Sequence, residues 1–484
     1  MAFFDQAQWD GRAFIGGWTT TGAVADVVSP STGELLAHYS VGAAADIARA
    51  TDAGLAAQRD WAARPGAERA GVLRRAAQLI DEQAGVLAEW LVKEAGSGTG
   101  KAAFEAGLVS AEFHQAAATA MMPYGELLQT SHPRLSFARR RPVGVVGVIS
   151  PFNFPAILGS RSIAPALALG NAVVLKPDPR TTVSGGFFFA AILEEAGLPE
   201  GLFSVVPGGA EAGAALVDEP RIPIISFTGS TEAGRKIGAR AGELLKRAHL
   251  ELGGNNALIV LPDVDLDAAT SAGAWGSFLH QGQICMTTGR HLVHADIYDD
   301  YVRLLAEKAS NIPVGDPATG VPLGPIIDAH QRDKVHDIVT ESVTQGAVLE
   351  TGGTYQDLFY RPTVLSQVRA DHAAFAKEIF GPVAPVAKFS STEELVRLVN
   401  STDYGLSLAI LAGDAFRAYE LADQMPSGIL HINDQTVDDE AQAPFGGVGA
   451  SGTGARFGGH HANIEAFTDT QWVTMQSEIS RYPF

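Results

Sequence analysis

From Val143 onward the chain alternates short β-rich runs with runs of helical spacing, and nothing else in the sequence restricts the fold as tightly. Residues 143–149, 172–175, 203–206 and 222–227 read as strands. Residues 162–169, 181–196 and 211–217 between them read as helices, the second ended by Gly197-Leu198-Pro199, and 232–245 follows the last strand. Strand–helix alternation of this kind builds a parallel sheet covered by helices. A second such stretch begins near Gly254, with 257–261 as strand and 268–279 as helix, and runs to about residue 450. The expected fold class is therefore α/β.

The flanking segments differ in character. In the first hundred residues Leu73, Ala77 and Ile80, then Val86, Trp90 and Leu91, recur every three or four positions, as in long amphipathic helices. Residues 121–142 carry Pro123, Pro133 and the run Arg139-Arg140-Arg141, and read as an extended excursion. The arginines fit either a docking edge for another subunit or a solvated strand edge. The last fifteen or so residues, with Phe467-Thr468 and Trp472-Val473-Thr474, alternate like an edge strand.

Composition narrows the function classes. At roughly 100–200 residues per domain, 484 residues make two to four compact units. A net charge of −19 disfavours nucleic acid and anionic membrane surfaces as partners. A single cysteine rules out an internal disulfide and a cysteine-rich metal site. The start Met-Ala-Phe-Phe-Asp-Gln lacks signal-peptide character, and no apolar run approaches the ~20 residues of a membrane span. A cytoplasmic enzyme is the expectation.

Some apparent motifs fail. Gly96-Ser97-Gly98-Thr99-Gly100-Lys101 has Ala95 where a phosphate-binding loop needs glycine, and Ala102 where it needs Ser or Thr. There is no Gly-x-Ser-x-Gly elbow and no His-Glu-x-x-His. His460-His461 are neighbours, which rarely face one ligand together, so no metal site is expected.

Three fragments carry chemistry. Cys285, alone, fits a small buried hydrophobe as well as a nucleophile, but Gly282 lets backbone approach near the thiol. A free thiol with a pKa near ~8.5 needs a base or a favourable field. Glu251, in His249-Leu250-Glu251-Leu252-Gly253-Gly254, sits among apolar neighbours that would raise its pKa into the range of a neutral-pH base; an outward-facing edge glutamate is the other reading. Asn153, in Pro151-Phe152-Asn153-Phe154-Pro155, follows a strand end, where ligands of open α/β sheets gather. The alternative there is a rigid space-filling turn. Together they supply nucleophile, base and oxyanion donor.

These three stretches resemble the signatures of NAD(P)-dependent aldehyde dehydrogenases, in type and order. So do Phe227-Thr228-Gly229-Ser230, Glu378-Ile379-Phe380-Gly381-Pro382 and Pro444-Phe445-Gly446-Gly447, and the likeness covers essentially the whole chain. The resemblance implies a Rossmann-like cofactor domain (1–120 and 143–253), an α/β catalytic domain with the nucleophilic Cys (254–452), and a small β oligomerisation arm (121–142 and 466–484). It assigns Cys285, Glu251 and Asn153 to catalysis, and Gly229, Ser230 and Gly234 to a helix start suited to pyrophosphate. Lys176 would contact the adenosine ribose, Glu378 the nicotinamide ribose, with Phe380 beside the ring. Ser150, Phe152 and Leu252 complete the implied cofactor site.

Two departures from the family pattern stand out. Where relatives usually carry a glutamate that grips the ribose 2′-hydroxyl, this chain has Pro179, followed by Arg180. The bias against a 2′-phosphate should weaken and Arg180 could bind it, so use of both NAD and NADP is expected. Where many relatives carry a second carboxylate beyond the C-terminal Ser-Gly, this chain has Arg456. Gln281-Gly282-Gln283-Ile284-Cys285-Met286 most resembles the benzaldehyde, vanillin and salicylaldehyde group, and Ile284 and Met286 would suit an apolar tunnel for a flat ring. The implied reaction is oxidation of an aromatic aldehyde, benzaldehyde first, to its acid through a Cys thiohemiacetal and thioester, by a homodimer or homotetramer. Vanillin-like, salicylaldehyde-like or aliphatic aldehydes are alternatives. A CoA-acylating relative would generally lack the Glu251 base; a plain thiol esterase would need no nicotinamide; a non-catalytic scaffold would have no use for the full set of groups.

Overall fold

The computed structural model describes residues 3–484; Met1 and Ala2, part of the start read above and of the 1–120 span, lie outside the described residues. Two seven-stranded sheets dominate. The first runs in the order Arg247–Glu251, Ile224–Thr228, Val145–Ile149, Ala172–Lys176, Phe203–Val205, Ala13–Ile15 and Trp18–Thr19. Its first five strands are parallel and the N-terminal hairpin closes one edge antiparallel. The central strands are apolar up to the terminal Lys176 and buried on both faces, as parallel sheets between helices must be.

The second sheet runs Val348–Thr351, Thr363–Ser366, Val383–Phe389, Thr288–His294, Asn256–Val260, Ser407–Leu411 and Ile429–Ile432, parallel except at the first strand. A third, antiparallel sheet joins Gly125–Leu127, Leu135–Pro142 and Thr468–Met475, the last two paired from Thr468↔Pro142 to Met475↔Leu135. The C-terminal run thus makes an edge strand. The arginine run is tied to it and to the helix before it: Arg139 donates to Gln471 of the strand (2.8 Å), and Arg140 pairs with Glu465 of the helix His460–Phe467 (2.5 Å).

Four helices, Ala44–Ala63, Gly66–Glu82, Ala84–Ala95 and Thr99–Thr119, fill the N-terminal part. Leu73, Ala77, Ile80, Leu87 and Leu91 form their buried stripe, while Val86 and Trp90 are only half-buried.

Two helices differ from the sequence expectation, and both differences bear on the site. The helix expected at 162–169 begins seven residues earlier, spanning Pro155–Ala168. Proline needs no N–H at a first helical position, and a Glu105 oxygen accepts from Ala156 N (2.9 Å) and Ile157 N (3.1 Å). The helix expected at 181–196 is α only over Phe188–Glu195, preceded by a 3-10 turn Pro179–Thr181 and a π turn Val183–Phe187. The buried Glu94 carboxylate accepts from Val183 N and Ser184 N and holds that start out of regular register. Burial raises the Glu94 pKa to about 8. His460 and His461 open the short helix His460–Phe467, and His460 Nδ1 meets Thr119 Oγ1 at 3.0 Å. Among the described residues no helix is long and apolar enough to cross a membrane.

Candidate active site

The thiol sits at the end of a strained approach. Helix Leu266–Phe278 gives way to a turn in which His280 (φ 49), Gln281 (φ 56) and Gly282 (φ 64) are all left-handed. A Cβ on Gly282 would run into the Gly381 carbonyl, so only glycine lets the turn close against the Glu378–Pro382 stretch. Asn256 Nδ2 then holds the carbonyls of Cys285 and Thr287, both at 2.8 Å. Burial, then the carboxylates of Glu378, Glu251 and Asp439, push the Cys285 thiol far above its ordinary pKa. It rests protonated at neutral pH.

Glu251 ends the strand Arg247–Glu251 at the sheet edge, yet it faces inward and is 3% exposed. Neither carboxylate oxygen has a well-formed hydrogen bond. Burial raises its pKa well above the ordinary carboxylate range, opposed by Arg456, the Gly447 amide and Arg161. A carboxylate whose pKa is raised by burial is a stronger base than an exposed one, which is what proton abstraction needs. Arg456 thus occupies the neighbourhood as a positive charge where a second carboxylate might have stood.

Asn153 lies just before helix Pro155–Ala168, buried, with Nδ2 donating to the Gln283 carbonyl at 2.9 Å. One amide N–H is thereby fixed two residues before Cys285, and the other remains to be directed.

Two cavities meet here, and Asn153, Leu158 and Cys285 are in the walls of both. One, of about 250 Å³, is apolar: Phe104, Phe154, Trp275, Ile284, Met286, Val437 and Phe445 surround it. Ile284 and Met286 flank the thiol there, as an apolar tunnel requires. Arg161 secures the far wall, paired with Asp439 and lying 5.0 Å from the Phe445 ring centre.

The other cavity, of about 310 Å³, is the more polar of the two and is built on strand ends. Ser150, Phe152, Lys176, Arg180, Gly229, Ser230, Leu252, Glu378 and Phe380 line it. Ser230 caps the thirteen-residue helix Thr231–Glu243, so the positive helix end faces the cavity. Lys176 Nζ, buried, donates to the Gly208 carbonyl (3.0 Å), leaving two donors to spare. Glu378 accepts from Gly254 N (3.0 Å), and a Cβ on Gly253 would clash with its carboxylate, so the double glycine makes room for it. Phe380 (φ 55) stands edge-on to Phe152, with ring centres 5.9 Å apart. A helix end for phosphate, a buried ammonium and a half-buried carboxylate for hydroxyls, and an aromatic slot beside the thiol fit a dinucleotide.

Two residues expected here lie elsewhere. Gly234 is not in the cavity wall; a Cβ there would press into Leu252, so it permits close helix–strand packing instead. Pro179 starts the 3-10 turn outside the wall. Arg180 lines the cavity but is already engaged. Two of its nitrogens bond Asp178 (both 2.8 Å), a third bonds Asp328 (2.5 Å), and its guanidinium lies 4.2 Å from the Phe152 ring centre. Three of its five N–H donors are thereby spent, and a 2′-phosphate at Arg180 would meet two carboxylates already in contact with it.

Sequence reasoning missed Phe104, Trp275, Asn256, Gln331 and Arg161. Gln331 Nε2 holds the Phe380 carbonyl at 2.8 Å. Phe104 and Trp275 are about half exposed, on helix faces that show no local mark of a pocket. Asn256, beside the glycine pair, was the one within reach of motif reading.

Comparison with known proteins agrees along the whole chain. Residues 18–473 match the family model described as the aldehyde dehydrogenase family. A vanillin dehydrogenase from Amycolatopsis sp. is 58% identical, covering 100% of both chains. A benzaldehyde dehydrogenase [NAD(+)] from Pseudomonas putida is 47% identical over 99% of each. Among solved structures, an NADP-dependent enzyme from E. coli superposes with a TM-score of 0.94 at 31% identity, covering 97% of this chain and 99% of that one. A betaine aldehyde dehydrogenase from Staphylococcus aureus, in complex with NAD+, gives 0.94 at 28% identity, covering 98% and 96%.

Proposed function

The chain belongs to the aldehyde dehydrogenase family, and from that premise we propose that it oxidises aromatic aldehydes, benzaldehyde foremost, to carboxylic acids with NAD or NADP. One observation carries the reading: a single thiol stands in the shared wall of an apolar, ring-lined cavity and a polar, dinucleotide-fitting one. The relatives named for vanillin and benzaldehyde support the same substrate class.

The residues divide the work as follows. Glu251 takes the thiol proton, and Cys285 sulfur adds to the aldehyde carbon to give a thiohemiacetal. The oxyanion is held by the second Asn153 N–H and the Cys285 backbone N–H, donors aimed where charge develops. Lys176, Ser230, Glu378 and Phe380 would hold the dinucleotide, with Ser150, Phe152, Gly229 and Leu252 shaping its cavity. When bound, its nicotinamide supplies the hydride acceptor that oxidation to the thioester requires. Glu251 releases the thiol proton to solvent and then takes a proton from water as that water attacks the thioester carbon; the carbon–sulfur bond breaks, the acid leaves, and the Cys285 sulfur takes the proton back from Glu251. Phe104, Phe154, Trp275 and Phe445 would stack around the ring and exclude water.

A hydroxylated ring such as vanillin's is the second reading, because Gln435 and Asp438 stand in the wall of this largely apolar cavity. The test is absorbance at 340 nm with benzaldehyde, vanillin and an aliphatic aldehyde, each with NAD and with NADP, and no CoA. Aromatic aldehydes should dominate. A higher kcat/KM for the aliphatic substrate would overturn the ring reading, and a requirement for CoA would overturn hydrolysis at Glu251.

The same proposal extends to organisation. Residues 1–120 with 143–253 form the cofactor unit, 254–452 the catalytic unit, and 121–142 with 466–484 an arm that joins subunits. Leu127, Trp472 and Met475 are apolar and well exposed on the arm sheet, a surface that suits a partner subunit. Trp472→Asp should lower the mass seen by light scattering; an unchanged oligomer, or a monomeric wild type, would sink the arm's role.

A further inference from the structure

The Gly96–Lys101 segment, which lacks the marks of a phosphate loop, lies beside the reacting centre for a different reason. Gly96 (φ 61) ends helix Ala84–Ala95, and Lys101 enters on the next helix, Thr99–Thr119, buried to 5% exposure. Its ammonium donates to Ser97 Oγ (3.1 Å), Glu105 Oε2 (2.6 Å) and the backbone carbonyl of Asn153 (2.8 Å). Three protons meet three acceptors, so none is left for bulk solvent or substrate. Nζ also lies 4.0 Å from the ring centre of Phe154, the next residue.

Glu105 completes the grip. Its other oxygen accepts from Ala156 N and Ile157 N, the first free amides of helix Pro155–Ala168. One buried ion pair therefore holds the Asn153 turn at both ends, carbonyl and helix start. The nucleophile turn is tied to the same segment, because Gln281 Nε2 donates to the Gly96 carbonyl (2.9 Å) while Asn153 Nδ2 donates to Gln283 O. Burial depresses the Lys101 pKa and Glu105 works against that. A well-packed apolar pair often replaces a buried ion pair at no loss of stability. What an apolar pair does not supply is a donor aimed at one carbonyl.

We propose that Lys101, held by Glu105, is a positioning residue for aldehyde oxidation: by fixing the Asn153 backbone it keeps one side-chain N–H on Gln283 and aims the other at the oxyanion. The inference rests on the function proposed above. It makes the oxyanion amide and the nucleophile turn parts of one assembly, keyed to a helix that contributes no reacting atom. Loss of the ammonium frees the Asn153 carbonyl, and the amide loses its aim without losing its chemistry.

The test is a double-mutant cycle on the full-length protein, followed by the pre-steady-state burst of reduced cofactor with benzaldehyde and NAD. Lys101→Met should slow the burst by about 10- to 100-fold, below the ~10²–10³ of deleting an oxyanion donor outright, with both KM values within about threefold. In an Asn153→Ala background the same change should cost less than about threefold, because its target is gone. Glu105→Gln keeps the shape and should give a smaller loss in the same direction; its own cycle with Asn153→Ala decides the matter if Lys101→Met does not fold. Equal losses in both backgrounds, or a loss confined to the KM for NAD, would overturn the positioning role alone. A wild type that reduces neither cofactor with any aldehyde would overturn the function reading, and this inference with it.

Discussion

The two cavities that meet at Cys285 are made in opposite ways. The polar one is assembled from strand ends and the turns that follow them: Ser150 after one strand, Lys176 at the end of the next, Gly229 and Ser230 after a third, Leu252 after a fourth. Its groups come from backbone, one helix end and a few buried charges. The apolar one is walled by side chains that reach in from helices and loops far apart in sequence: Phe104, Trp275, Val437 and Phe445. A parallel sheet supplies the first almost as a by-product of its topology. The second is a free choice of rings on the same scaffold, so substrate range can vary while the cofactor side stays put.

The largest effects should fall where both cavities share an atom. Cys285→Ala should remove aldehyde oxidation altogether while leaving NAD binding, read by fluorescence quenching, within about twofold. If binding vanished as well, the cavities would not be separable at the thiol. Glu251→Gln should spare a first turnover and slow acyl release about 10²- to 10³-fold, seen as a burst of reduced cofactor followed by a slow steady state.

The pH dependence has a definite sign. Burial raises the Glu251 pKa, and the base works only when ionised, so release should fall as pH drops through a value above the ordinary carboxylate range. Glu251→Gln should abolish that acid limb. Persistence of the limb in the variant would assign it to another group.

Next in size are changes confined to the apolar wall. Phe104→Ala and Trp275→Ala each remove a ring that is half exposed in the free protein and faces the cavity. Each should raise the KM for benzaldehyde about tenfold, ~1.4 kcal/mol, with little change in the KM for NAD. A parallel rise in both values would mean that the two walls are mechanically one, and the contrast drawn here would fail.

The same contrast explains what could be read from the sequence. Local fragments singled out Cys285, Glu251 and Asn153 beside glycines and prolines, Ser230 and Glu378 came only through the family resemblance, and the first sheet's parallel strands followed from β-rich runs. The start of helix Pro155–Ala168 was hidden because Glu105, some fifty residues away in the chain, supplies the acceptor that lets it begin there. The π turn at Val183–Phe187 was hidden for the same reason, its amides being taken by Glu94. Trp275 and Phe104 sit on half-exposed helix faces, where an aromatic has no local signature of a pocket. Tertiary hydrogen bonds and rings gathered from distant segments leave no periodic trace.

The smallest predicted effect probes the polar cavity at the one point where the structure complicates the sequence reading. Pro179 removes the carboxylate expected to exclude a 2′-phosphate, yet Arg180 spends three of its five N–H donors on Asp178 and Asp328. Asp178 is largely shielded, which would raise its pKa, but the Arg180 hydrogen bonds and charge outweigh that and hold it low beside the adenosine end. Asp328, the N-cap of the helix Ala329–Thr344, is the more exposed partner and the one whose loss frees a guanidinium edge without stripping Asp178. Asp328→Asn should therefore lower the KM for NADP about two- to threefold while leaving that for NAD unchanged, because only the phosphate gains a charge-assisted contact. The gain should shrink at high salt. An equal change with both cofactors would show that Asp328 shapes the cavity rather than competing with the phosphate.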